Sequence, residues 1–199
     1  MYRTPVLHLK RTDAVLAGVI ERVGPCRFRR RAVGTHFDAL LRSIVYQQLS
    51  GKAAGTILDR VLALYGGSYP RPAQLLQTSD DALRAAGLSR QKLAYLRDLA
   101  AKVDTGEVPL ARVGRMSDEA IITHLTRVKG IGRWTAQMFL MFRLGRPDVL
   151  PELDLGIQTA IQRAYELRKR PTPADVLRIG ATWRPHATIA SWYLWRSLE

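Results

Sequence analysis

Along residues 35–49, THFDALLRSIVYQQL, the apolar side chains Phe37, Leu40, Leu41, Ile44 and Val45 return at intervals of three and four. That is the period of a helix with one buried face. Thr35 stands at its start with Asp38 three residues on, a capping-box-like pair. Ser50-Gly51 punctuates, and KAAGTILDRVLALY predicts a second helix that stops at Gly66-Gly67. Ser79 opens a short helix through Ala86, closed by Gly87; Ser89 opens a longer one with Leu93, Leu96, Ala100 and Val103 on one face. Ser117 caps DEAIITHLTRV, whose acidic first turn suits the helix dipole. RWTAQMFLMFRL follows, then the loop GRPDVLPEL (145–153) and the helical DLGIQTAIQRAYEL. Thr172-Pro173 begins PADVLRIGATW, and the Trp-rich RPHATIASWYLWRSL ends the chain. Period-two alternation is scarce, and only the first ten residues read as extended. The pattern predicts an all-α fold of about ten helices joined by short loops.

One place breaks the pattern. VKGIGRWTAQ (128–137) sets Gly130 and Gly132 between two helical stretches, where each glycine costs about 1 kcal/mol relative to alanine inside a helix. A short apolar helix, a Gly-Ile-Gly turn and a second helix make a helix–hairpin–helix at 118–143. The glycines permit the tight turn and leave no side chain above it. Turn amides and the second helix's N-terminus then offer partial positive charge to a phosphate, and Lys129 and Arg133 flank them. Such a contact grips the nucleic-acid backbone without reading sequence. The plain structural alternative is an αα-hairpin with a glycine turn.

Charge favours the first reading. The 199 residues hold 31 Lys+Arg against 17 Asp+Glu, a net charge of +14 that calls for a polyanionic partner. AQMFLMF (136–142), the densest apolar run, falls short of the ~18 residues a membrane span needs. No stretch resembles a secretory signal. The single Cys26 excludes an intrachain disulfide and a cysteine-ligated iron–sulfur cluster, and the four histidines lack metal-ligand spacing. The expectation is a cytoplasmic protein without membrane contact, cofactor or side-chain metal site.

LTRVKGIGRWTAQMFLMF resembles the hairpin of the HhH-GPD superfamily of DNA glycosylases, most of all its AlkA-type 3-methyladenine DNA glycosylase II branch. That superfamily places a Gly/Pro-rich loop and an aspartate after the hairpin. DVLPELDLG matches, and its Asp154 follows Gly132 by 22 residues. HFDALLRSIVYQQLSGKAAGTI looks like the family's first core helix pair and WRPHATIASWYLWR like its last helix, so the likeness covers residues 35–197. The resemblance implies two helical subdomains with an active-site cleft between them: residues 35–115, and residues 1–34 with 116–199. It also implies that the N-terminal β-domain of longer members is lacking, since few residues precede Phe37. Bifunctional relatives carry a Schiff-base lysine two residues after the second hairpin glycine; here that residue is Trp134. The resemblance therefore predicts no abasic-site lyase activity.

By resemblance Asp154 is the catalytic carboxylate, stabilising oxocarbenium-like charge on the sugar and orienting water. Its structural alternative is the N-cap of LGIQTAIQRAYEL, and both roles are compatible. Glu152 is a weaker rival. A cationic alkylated base, flipped from the duplex, needs a π-rich pocket. Trp134 and Trp195 align with pocket aromatics, with core packing as the alternative for each; Trp183 and Trp192 are assigned to the core. Met138 and Leu155 stand where the branch often has tyrosines, and WRPHA replaces W-R-P-aromatic-Arg, so the pocket is expected to be roomier. Substrates would include 3-methyladenine and 7-methylguanine, with 1-methyladenine as an extension. The DNA-binding set is Lys129, Gly130, Ile131, Gly132, Arg133 and Thr135, with Gln48 or Leu49 as the wedge that fills the vacated stack; Leu49 as apolar filler is the alternative. A monovalent cation on the hairpin carbonyls of Thr126, Val128 and Ile131 is a candidate. The predicted partner is double-stranded DNA bound by a monomer. The rivals are a non-catalytic helix–hairpin–helix DNA-binding module and a glycosylase for oxidised or mismatched bases.

Overall fold

Serine and threonine side chains cap half of the described α-helices. The computed structural model describes residues 2–30 and 34–199, and among these it holds helices and no strand. Ser50, Ser79, Ser89 and Ser117 each accept the amide of the residue three positions on, at 3.1–3.3 Å. Thr35 and Asp38 form a reciprocal capping box (3.1 and 2.7 Å). Such caps satisfy amides that have no acceptor within the helix.

The chain forms two compact units, Met1–Arg31 with Leu140–Glu199, and Ala32–Phe139. The division falls at Phe139, so the hairpin shares a unit with the central helices; the expected division put it with the terminal segments.

The first unit contains α1 (Arg3–Thr12), α2 (Ala14–Val23), α10 (Leu155–Ala164), α11 (Pro173–Ile179) and α12 (Ala187–Arg196). Here the expectation of an extended start is corrected: residues 3–12 are helical. Pro5 lies in the first turn, where a missing amide is tolerated, and the buried face comes from the far end of the chain. Leu9 and Leu16 join Ile157, Ile161, Trp183 and Tyr193 in one core. Asp13 ties the pieces together. Its Oδ1 caps α2 through Leu16 N (2.9 Å), while Oδ2 accepts from Trp183 Nε1 (2.8 Å) and from the Tyr165 hydroxyl. Burial, with this carboxylate beside it, pushes the Tyr165 phenol well above its ordinary range. Trp183 is fully buried, as the sequence suggested, and Trp192 is partly covered.

The second unit holds α3 (His36–Tyr46), α4 (Gly51–Ala63), α5 (Pro72–Gln77), α6 (Asp80–Ala85), α7 (Arg90–Asp104), α8 (Asp118–Leu125) and α9 (Arg133–Met138). Leu40, Leu41, Ile44, Leu75, Leu83, Leu96 and Leu99 are fully buried here. Arg97 of α7 fastens the α5–α6 connection, donating to the carbonyls of Leu75 and Thr78 and to Asp80. Beyond α9 the winding widens into a π-helix, Phe139–Leu144, where a continued α-helix was expected. None of the described helices is long and apolar enough to cross a membrane.

Candidate active site

Asp154 ends the Pro-containing loop and caps α10, the structural role that the sequence offered for it. Its Oδ1 accepts the Ile157 amide at 2.8 Å and the Trp195 indole Nε1–H at 2.9 Å. Two N–H groups from rigid elements thus fix the plane of the carboxylate. Trp195, half-buried on α12, stacks on Phe142 (centroids 6.0 Å, 26°), which lies against Phe28, which in turn meets Tyr2 edge-on. An aromatic series therefore backs the indole that holds Asp154. A Cβ on Gly156 would sit 3.1 Å from the Trp195 ring, so only a small residue lets the indole reach the helix start.

Leu155, next to Asp154, is 64% exposed and Leu153 is 48% exposed, an apolar surround for a carboxylate at a helix N-terminus. Glu152, the rival acid, is buried, and its backbone carbonyl accepts from Gln158 Nε2 at 3.0 Å. Thus the first unit brings Asp154, Leu155 and Trp195 together. Phe142 and the Trp195–Asp154 bond were missed by sequence reasoning. AQMFLMF marked Phe142 as apolar but could not tell which ring it meets.

The remaining predicted residues lie in the second unit. Gly130 has φ +81°, and a Cβ there would meet the Tyr95 ring at 2.1 Å, so glycine is required twice over. The Ile131 amide bonds the Val128 carbonyl at 3.0 Å and closes the turn; a cation on Val128 would use that oxygen's second lone pair. Gly132 is the N-cap of α9. The side chains of Ile131 and Thr135 are buried, so their contribution to a DNA surface is restricted to the backbone. Lys129 is exposed and its amide bonds Asp98 Oδ2 at 2.8 Å. Arg133, expected to face phosphate, gives two guanidinium nitrogens to Glu119 of α8 (3.0 and 2.7 Å). That guanidinium holds the Glu119 carboxyl below its usual range. Trp134 is 44% exposed, and Met138 is half-buried.

Gln48 and Leu49 occupy the short connection between α3 and α4. Both are exposed, Leu49 by 40%, which disfavours buried filler as its role. Gln48 has φ 56°, left-handed backbone that non-glycine residues rarely adopt. Such outliers, which cost about 1–3 kcal/mol, gather at functional positions.

Known proteins share this fold. Residues 41–185 match the model of the HhH-GPD superfamily base excision DNA repair proteins. DNA-3-methyladenine glycosylase 1 of Schizosaccharomyces pombe is 34% identical over 96% of this chain and 85% of its own. The solved structure of the 3-methyladenine DNA glycosylase of that yeast, in complex with abasic DNA, superposes with a TM-score of 0.84 at 34% identity over 96% of this chain and 94% of its own. A DNA-3-methyladenine glycosidase from Bacillus halodurans gives 0.87 at 37% identity, over 98% of this chain and 89% of its own. The likeness thus runs along nearly the whole chain, which belongs to the HhH-GPD superfamily of base excision DNA repair proteins.

Proposed function

We propose that the protein is a monofunctional DNA glycosylase that hydrolyses the N-glycosidic bond of alkylated bases in double-stranded DNA, with Asp154 as the catalytic carboxylate. The observation that carries this reading is Asp154 itself, held at the head of α10 by the Ile157 amide and the Trp195 indole. A base alkylated on a ring nitrogen is cationic and leaves readily. What the protein must supply is stabilisation of the sugar's developing positive charge, and a fixed carboxylate does this without reorganising in the transition state. The same group orients or deprotonates the attacking water.

The hairpin grips the phosphate backbone through the start of α9 and Lys129, Gln48 or Leu49 fills the vacated stack, and Leu155 and Trp195 are pocket candidates beside Asp154. Leu155 leaves the surroundings of Asp154 less aromatic than a tyrosine would. Apolar pockets separate near-isosteres by only ~1–3 kcal/mol, so 3-methyladenine, 7-methylguanine and 1-methyladenine are all expected among the released bases. With Trp134 in place of a Schiff-base lysine, the product is an intact abasic site.

The test is release of free base from methylated duplex DNA by wild type and Asp154→Asn. The variant should lose about 10²–10³-fold in single-turnover rate and still bind DNA. Near-wild-type excision would overturn the assignment, and a wild type that binds DNA but frees no base would favour the non-catalytic module.

A further inference from the structure

One face of α7 carries a polar stripe beside its buried leucines. Lys92, Tyr95, Asp98 and Lys102 follow one another at three, three and four residues, which keeps them within about a third of the helix circumference. Their partners belong to two segments far apart in sequence. Lys92 Nζ donates to the Val45 carbonyl at 2.6 Å, near the end of α3. Burial holds that ammonium below its ordinary range. The Tyr95 ring lies under Gly130. Asp98 Oδ2 accepts the Lys129 amide (2.8 Å) and Lys102 Nζ (3.0 Å), and Lys102 also donates to the Arg127 carbonyl. One helix face thus supports both the end of α3 and the hairpin turn.

A single side chain closes the circuit between those segments. Gln47, the last residue before Gln48, donates its amide Nε2–H to the Gly130 carbonyl at 2.8 Å, across 83 positions of sequence. The Gly130–Ile131 peptide is therefore fixed at both ends: its oxygen by Gln47 and its N–H by the Val128 carbonyl. Gln48 leaves this anchored residue in left-handed backbone and carries its exposed side chain outward with Leu49. An unanchored connection would relax from such a strained conformation. The anchor sits where it opposes that relaxation.

We infer that Gln47 is a positioning residue that locks the Gln48–Leu49 connection to the phosphate-gripping hairpin turn, so that backbone grip and entry into the base stack occur in one register. The inference rests on the reading of Gln48 or Leu49 as the wedge. A hairpin bound to phosphate fixes the Gly130 carbonyl, Gln47 carries that position to the neighbouring connection, and the wedge meets the duplex at a set distance from the gripped phosphate. Without the link, grip persists and insertion loses its aim.

The test separates grip from insertion and from chemistry. The probe is a duplex with 2-aminopurine beside a tetrahydrofuran abasic analogue; its fluorescence rises when the neighbouring stack opens. At saturating protein, wild type should raise the signal, and Gln47→Met should do so about ten-fold more slowly or to a much smaller amplitude. Affinity of the variant for undamaged duplex should stay within about three-fold of wild type, because the hairpin turn and Lys129 that hold phosphate keep their own bonds. Gln47→Glu keeps size and polarity but sets an acceptor against the Gly130 carbonyl, and should repeat the defect if the methionine variant folds poorly. Unstacking at the wild-type rate by both variants would overturn the inference. So would loss of unstacking and undamaged-duplex affinity in equal measure, which marks a general brace. A wild type that leaves the probe stacked overturns it together with the wedge. A wild type that opens the stack but frees no methylated base overturns the glycosylase reading alone.

Discussion

Replacing Trp195 by phenylalanine isolates the bond that aims Asp154. The change deletes the indole Nε1–H, which donates to Oδ1 at 2.9 Å, and keeps an aromatic ring to stack on Phe142. Ile157 N remains on the same oxygen, so the carboxylate keeps its cap but loses the indole donor. A hydrogen bond to a charged group is worth about 1.5–3 kcal/mol. At about 1.4 kcal/mol per tenfold in rate, full expression in the transition state gives roughly a 10- to 150-fold loss. Some of the bond's worth stabilises the resting enzyme equally, so the expected loss is about 10- to 50-fold. The assay is single-turnover release of 3-methyladenine from methylated duplex, with enzyme in excess, alongside affinity for an abasic duplex, which should hold. The decisive comparison is a double-mutant cycle. In an Asp154→Asn background, Trp195→Phe should cost no more than about three-fold, because residues acting as a unit are not additive. Wild-type rates for Trp195→Phe would refute the argument, and so would the same loss in both backgrounds. Either result would leave Trp195 as a pocket wall only.

Three further outcomes are expected. Gly130→Ala combines left-handed backbone with a clash against Tyr95; it should weaken binding to damaged and undamaged duplex alike, and Tyr95→Ala should restore only part, since the backbone penalty of about 1–2 kcal/mol remains. Borohydride added during turnover should trap no protein–DNA adduct, because position 134 offers an indole and no amine. Burial raises the Asp98 carboxyl, but the Lys129 amide and Lys102 outweigh it and hold the group below its usual range; its contribution is therefore complete above the unfolded carboxylate value of about 4 and fades as pH falls through the lower folded value. The melting-temperature gap between wild type and Asp98→Asn should be open at pH 7 and close progressively below about pH 4, and a gap independent of pH would contradict the assignment.

Most helix starts were legible because they rest on local chemistry. A serine accepting an amide three residues away needs nothing beyond its own turn, so Ser50, Ser79, Ser89 and Ser117 could be read directly. The helices missed were those whose stability comes from elsewhere. RTPVLHLKRT has a weak pattern of its own, and it is a helix because Leu9 enters a core built from the C-terminal residues. Pro72 at a helix start gave α5 a signal, but six residues left little periodicity to detect. At the candidate site, the cap position of Asp154 was legible in its turn, and its distance from Gly132 drew notice only through the resemblance. Its partner was not, since a bond between residues 154 and 195 leaves no trace in spacing. Arg133 shows the opposite failure: its sequence position suggests a phosphate ligand, and only the fold reveals Glu119 opposite it. Gln47 carried no signal in the sequence, because the hairpin carbonyl that it bonds lies 83 residues away.

The Asp13 tie has a consequence for synthesis. The unit from Ala32 to Phe139 is continuous in sequence, whereas the other is made from both ends of the chain. Asp13 emerges from the ribosome early, yet the Tyr165 hydroxyl and Trp183 indole that it accepts from come some 150 and 170 residues later. At about 5–20 residues per second, α1 and α2 wait for seconds with their apolar faces uncovered while the continuous unit has all its own partners at hand. The birth order of the protein therefore runs from the middle outward, and the carboxylate that organises the cap of α2 is also the latch that shuts last.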